Sequence, residues 1–132
     1  MAPTKQVFRS GPYAELIAQG VRVGNVLHLS GQVGMDAEGT IPESMVEQTS
    51  LAYANIQAVL TEFGASMDDI VDETLFVTNV DEVHECLEEM FTKRAQAYGK
   101  QPEVTQTLIG VNALLLPDLK LEIKCIAILE GI

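Results

Sequence analysis

Apolar and polar positions alternate most regularly near the C-terminal end of the chain. Leu119, Leu121, Ile123, Cys125, Ala127 and Leu129 fall on one side of an extended backbone. Lys120, Glu122, Lys124, Ile126 and Ile128 fall on the other, so one acidic side chain sits on a strand whose far end is apolar on both faces. Two apolar runs between Gln106 and Leu129 flank Leu116-Pro117-Asp118 and predict two strands joined by a short connection. Upstream, residues 4–9 predict a short edge strand. Residues 16–23 and 25–33 predict two strands around a tight turn at Gly24-Asn25, with Val26, His28 and Ser30 on one face. Residues 35–43 contain Gly39 and Pro42 and read as a loop, and residues 67–80 as a further strand.

In two places the period lengthens to that of a helix. Ser44 precedes Glu47 by three residues, a capping-box pattern. Val46, Thr49, Tyr53, Ile56, Leu60 and Phe63 then recur at helical spacing until Gly64. A second helix starts near Asp81, carries Val83, Leu87, Met90 or Phe91, Arg94 and Tyr98 on one side, and ends at Gly99. Pro102 precedes the final strands. The order β-β-β-α-β-α-β-β predicts an α+β fold with two helices on one face of a sheet. Two helices cannot cover both faces, and the last strands are apolar on both. The uncovered face therefore calls for a second copy of the chain, a homo-oligomer. Glu122 would then lie near a subunit boundary, a natural place for a cleft.

A length of 132 residues fits a single domain spanning 1–132, and 47% hydrophobic residues argue against disorder. No apolar run approaches the ~20 residues that span a bilayer. The N-terminal MAPTKQVFRS lacks the apolar stretch of a secretory signal, so a cytoplasmic location without membrane attachment is expected. Nineteen acidic and 8 basic residues give a net charge of −11, which repels phosphate backbones and speaks against nucleic acid as a partner. Cys86 and Cys125 fit no zinc spacing and read as core thiols, so no metal is expected.

Four short motifs, in order, give the chain a likeness. Ser10-Gly11-Pro12-Tyr13, Leu29-Ser30-Gly31-Gln32, Asn55-Ile56, and Pro117-Asp118-Leu119 followed by Leu121-Glu122-Ile123 together resemble the RidA/YjgF family of small enamine/imine deaminases. The resemblance covers nearly the whole chain. It implies a chorismate-mutase-like fold, with a mixed sheet, assembled as a homotrimer with three clefts between subunits. It implies that Glu122 and Tyr13 position water and substrate, without a metal or organic cofactor. Where the family carries a carboxylate-binding arginine on its penultimate strand, this chain offers Gln106, or Leu108 if positions are counted back from Pro117; neither is cationic. His84 stands where the family has an asparagine in its second helix.

The residues themselves keep several alternatives open. Glu122, between Leu121 and Ile123, must be solvated or paired: either it serves a cleft as acid or base, or it pairs with Lys120 or Lys124. Ser30 and Gly31 at a strand end can offer backbone donors to a ligand or simply form a tight turn. Tyr13 can close a cleft or pack in a core. His84 can act as acid or base, or sit on the surface. Arg9 can swing into the cleft as a substitute cation, or remain solvated. The expected partner is a small imine, enamine or organic acid, turned over by a hydrolase or merely bound by a non-catalytic protein of the same fold.

Overall fold

The computed structural model describes residues 1–130. Strands β1 (Gln6–Phe8), β2 (Gly20–Val23), β3 (Val26–Leu29) and β4 (Gln32–Val33) precede helix α1 (Met45–Glu62). A single 3-10 turn, Met67–Asp69, leads into β5 (Ile70–Val77); helix α2 (Val80–Tyr98), β6 (Thr105–Gly110) and β7 (Leu121–Ile128) follow. The strands form one mixed sheet in the order β1-β2-β3-β7-β5-β6, with β4 also paired to β7. All neighbours are antiparallel except β5 and β6, which α2 connects, as a parallel pair requires a crossover.

Local chemistry sets the helix ends. The Ser44 hydroxyl accepts the Glu47 N–H at 3.0 Å, and Asn79 accepts the Glu82 N–H at 3.1 Å, each satisfying an orphan donor of a first turn. Asn79 is thus the N-cap of α2, which starts at Val80, next to the expected Asp81, and is capped at its end by Gly99. At the β2–β3 hairpin Val23 pairs with Val26, and Gly24 takes the positive φ of 59° that a two-residue turn favours.

Both helices lie on one face of the sheet. There Tyr53, Ile56, Leu60, Val83 and Met90 close over Leu27, Leu29, Leu75, Val77, Leu121 and Ile123. Leu121, Ile123, Cys125 and Ala127 of β7 are all buried, with Glu122 and Ile126 half-buried and Lys124 and Ile128 exposed between them, so the alternation read from the sequence is the alternation of the strand.

Four boundaries differ from the sequence pattern. Residues 16–19 do not belong to β2; the N–H groups of Leu16 and Ile17 both bond to the Tyr13 carbonyl, closing a turn that leaves Leu16 and Ile17 exposed. The segment 25–33 breaks at Ser30-Gly31 into β3 and β4. Residues 67–69 form the 3-10 turn because Asp69 Oδ2 accepts the Ser66 N–H at 2.9 Å. The last two strands are not a hairpin: β6 lies on one side of β5 and β7 on the other. The connection between them is held by Gln48 of α1, whose amide donates to the Pro42 and Asp118 carbonyls and accepts from the Lys120 N–H.

Within the helix-covered face lies a buried carboxylate. Glu73 of β5 is fully buried and accepts hydrogen bonds from Tyr53 (3.0 Å), Tyr98 (2.7 Å), Gln106 (2.8 Å) and Arg94, its ion-pair partner. Burial and the neighbouring Glu73 charge push both tyrosine hydroxyls up, so they remain protonated donors. The Arg94 guanidinium also lies 5.4 Å from the Tyr98 ring centroid.

Removing the cation would strand this carboxylate. Arg94→Met is expected to destabilise the protein by about 3–5 kcal/mol, while Glu73→Leu combined with Arg94→Met recovers much of the loss, since an apolar replacement leaves no buried charge. Urea unfolding at fixed protein concentration measures both; equal losses in the single and double variants would contradict the assignment.

Candidate functional site

The face of the sheet away from the helices carries the even-numbered residues of β7. Register sets Glu122 in a row with Val33 of β4, Phe76 of β5 and Ile109 of β6. The next row holds Lys124, Thr74 and Thr107. Beyond them His28 pairs with Ile126 and Val26 with Ile128. Ile109 and Ile128 are 40% and 38% exposed, so within one chain this face is open and largely apolar.

Glu122 lies where β3 passes into β4. His28 pairs with Ile126 and Gln32 with Ile123, so this side advances four residues while β7 advances three. The extra residue forms a bulge at Ser30-Gly31. A Cβ on Gly31 would overlap the Glu122 carboxylate, so a larger residue there would have to displace that side chain from its position. The bulge is anchored from below and beside. Asn55 of α1 donates to the Val33 and Met35 carbonyls at 2.8 and 2.9 Å. Gln32 donates to Gln19 Oε1 and to the Ser30 carbonyl.

The Ser30 hydroxyl is not free for a ligand. It donates to the Ala18 carbonyl at 2.6 Å, while the Ser30 N–H donates to Gln19. Gln19 in turn donates to the Ser10 carbonyl at 3.2 Å. These bonds tether the segment bearing Tyr13 to the bulge beside Glu122. The Tyr13 side chain is 37% exposed, and its hydroxyl makes no hydrogen bond among the described residues. Gly31, Glu122 and the Tyr13 segment are therefore brought to one region.

Three other expected residues are placed elsewhere. Gln106 points to the helix-covered face, where it donates to Glu73; Leu108 shares that side, and β6 turns Thr105, Thr107 and Ile109 to the open face. A strand's period of two makes a one-residue difference in register a change of face. His84 is exposed on the first turns of α2, in a groove with Val46, Cys86 and Phe91 on the helix layer, across the sheet from Glu122. Arg9 is exposed and donates to the Ala14 carbonyl at 3.0 Å, bracing the Tyr13 turn rather than reaching Glu122.

The carboxylate of Glu122 has no hydrogen-bond or ion-pair partner among the described residues. Lys120 pairs with Glu82 at 2.7 Å, and the Lys124 ammonium donates to the Leu29 carbonyl at 3.3 Å. Partial burial holds the Glu122 carboxyl above the usual carboxylate range, against a weaker opposing effect of Lys124. Such a group can take a proton from water and return it. Both cysteines are free thiols, Cys125 buried among core residues and Cys86 half-buried on α2.

Sequence reasoning missed the polar groups that hold the site. Gln48 is fully buried yet falls on the same stripe of α1 as Met45, Ala52 and Tyr53, and a polar residue on an apolar stripe was the available signal. Glu73, opposite Arg94 and Tyr98 on the inward side of α2, carried the same signal.

Comparison with known proteins agrees with this architecture. Residues 7–129 match the family described as endoribonuclease L-PSP. The RutC family protein YjgH of Escherichia coli is 34% identical over 120 residues, 90% of this chain and 88% of that protein. The 2-iminobutanoate/2-iminopropanoate deaminase of Dermatophagoides farinae is 29% identical over 125 residues, 91% of this chain and 88% of its own. The crystal structure of E. coli TdcF with bound serine superposes with a TM-score of 0.77 at 28% identity, covering 98% of this chain and 94% of that one.

The desolvated carboxyl has a consequence for stability. With its folded-state pKa raised, Glu122 favours folding in its protonated form, and that contribution is lost as pH rises through the folded pKa. Glu122→Gln, which stays neutral, is expected to raise the midpoint of thermal unfolding near neutral pH and to lose that advantage in acid, below the unfolded carboxyl pKa of about 4.3. Melting curves of both proteins across this range check it; a Gln variant less stable at neutral pH would mean that an ionised Glu122 is held by a favourable partner.

Proposed function

The chain belongs to the endoribonuclease L-PSP family, the RidA/YjgF group, and we propose that it hydrolyses small imines or enamines at the Glu122 site. The observation that carries this reading is the partly desolvated Glu122 carboxylate, without a partner among the described residues, beside the Gly31 bulge and in a row with Phe76 and Ile109 on the open face. Water adds to the C=N carbon while Glu122 takes its proton and passes it to the nitrogen, giving a tetrahedral carbinolamine. On collapse Glu122 takes the hydroxyl proton and returns it to the nitrogen as the C–N bond breaks, and ammonia leaves behind a carbonyl compound. With an enamine, protonated Glu122 first donates to carbon, which a raised pKa assists. Tyr13 walls the site, and backbone N–H groups near Gly31 orient the substrate. Since C=N bonds hydrolyse readily in water, positioning and one acid–base group suffice.

In this reading copies of the chain cover the open face as a homotrimer, and each cleft lies between two subunits. A net charge of −11 and the absence of any Lys or Arg other than Lys124 on strands β3–β7 oppose binding of a phosphate backbone there. RNA is therefore not the substrate proposed. One observation favours a second reading, a small-metabolite-binding protein without turnover: β6 gives the open face only Thr105, Thr107 and Ile109, with no cation to clamp an anion.

The mite relative's name supplies a substrate for the test. Ammonia release from 2-iminopropanoate generated in situ is expected to exceed the spontaneous rate, and Glu122→Gln is expected to lower the enzymatic rate about a hundredfold, the range of one general acid–base group. Light scattering is expected to give the mass of three chains. Wild-type protein that binds the compound but leaves its hydrolysis at the spontaneous rate would support the second reading instead.

A further inference from the structure

Resting on that reading of the Glu122 site, we propose that Lys124 is the residue that recognises the carboxylate of an anionic substrate there. Lys124 stands two residues from Glu122 on the same strand and the same open face, one row along the sheet. It is the sole lysine or arginine on strands β3 to β7. The other basic groups with described partners are committed elsewhere. Arg94, Lys100 and Lys120 pair with Glu73, Asp68 and Glu82. Arg9 and Arg22 donate to the Ala14 and Gly24 carbonyls within their own turns.

Unlike Arg94, Lys100 and Lys120, Lys124 has no acidic partner among the described residues, and unlike Arg9 and Arg22 it stands on the open face beside Glu122. Its one described hydrogen bond is long, 3.3 Å to the Leu29 carbonyl, and an ammonium carries three donors. Leu29 immediately precedes the Ser30-Gly31 bulge, over which the Glu122 carboxylate lies. The acid and the cation thus approach the same bulge from adjacent rows without pairing with each other. A substrate whose carboxylate meets Lys124 would lay its C=N carbon toward Glu122. The row of Lys124 continues into Thr74 and Thr107, whose hydroxyls can accompany an anion, whereas the row of Glu122 continues into Phe76 and Ile109. The polar row suits the carboxylate and the apolar row a short alkyl group, so the site is selective for short 2-imino acids. The ammonium acts as a point charge without the planar fork of a guanidinium, which gives attraction with looser orientation.

The test compares hydrolysis of 2-iminopropanoate with that of the uncharged 2-iminopropanamide. Lys124→Met is expected to raise KM for the carboxylate about tenfold or more, the scale of one charged hydrogen bond, with kcat changed less. The amide is expected to be turned over equally by both proteins, and Lys124→Arg to restore most of the lost affinity. Equal effects on the two substrates, or none, would overturn the assignment. Titration of pyruvate, the carbonyl product, separates this from the hydrolytic reading itself. If wild-type protein turns over neither imine, hydrolysis fails as the function. Lys124 still stands if pyruvate binds to the wild type and binds at least tenfold more weakly to Lys124→Met. Pyruvate that binds neither protein, or both alike, overturns it. Melting temperatures of the variants show whether each remains folded.

Discussion

Strand β7 has to satisfy two environments at once, and the rest of the molecule follows from how it does so. It is the one strand flanked by β3, β4 and β5, and its odd-numbered residues from Leu121 to Ala127 are buried beneath the helices. The intervening positions are released from core packing and can carry charge. A residue such as Glu122 is then one peptide from the tightest packing in the protein yet on the opposite face. The rigidity of the core thus fixes the backbone under the site, while the core imposes no chemistry on it.

The same separation governs the two carboxylates. Glu73 lies on the covered face, where an unpaired charge would be intolerable, and four donors from α1, α2 and β6 saturate it. Glu122 lies on the open face with no donor among the described residues of its own chain. One acid is spent on holding helices to sheet, and the other is left for exchange with whatever enters. Gln106, which the sequence offered as a site residue, belongs to the first of these acids and not the second.

What was legible in the sequence was what alternation and capping determine: both faces of β7, the Ser44 cap, the stripe of α1, and the existence of an uncovered face. What escaped was decided by contacts distant in sequence. In β6, Thr105, Gln106 and Thr107 are polar on both faces, so the pattern carried no phase, and only pairing with β5 assigns them. The apolar runs around Pro117 looked like a hairpin because a strand's neighbours are not written in its own residues. Leu16 and Ile17 extended an apolar pattern that hydrogen bonds to the Tyr13 carbonyl diverted into a turn. Ser30-Gly31 read as a strand end or a tight turn, and neither the bulge there nor its purpose, clearance for a side chain on another strand, was legible.

The central place of β7 also orders the life of the chain before it is folded. β1, β2 and β3 can pair as they emerge in synthesis, and β5 with α2 and β6 can form a second piece. Neither piece touches the other through the sheet until the last strand arrives to hydrogen-bond to both. Residues such as Val26 and Ile128 must then meet across almost the whole length of the polypeptide. A nascent chain without β7 would therefore hold two open sheet edges, on β3 and on β5, and completion of the sheet waits on that strand.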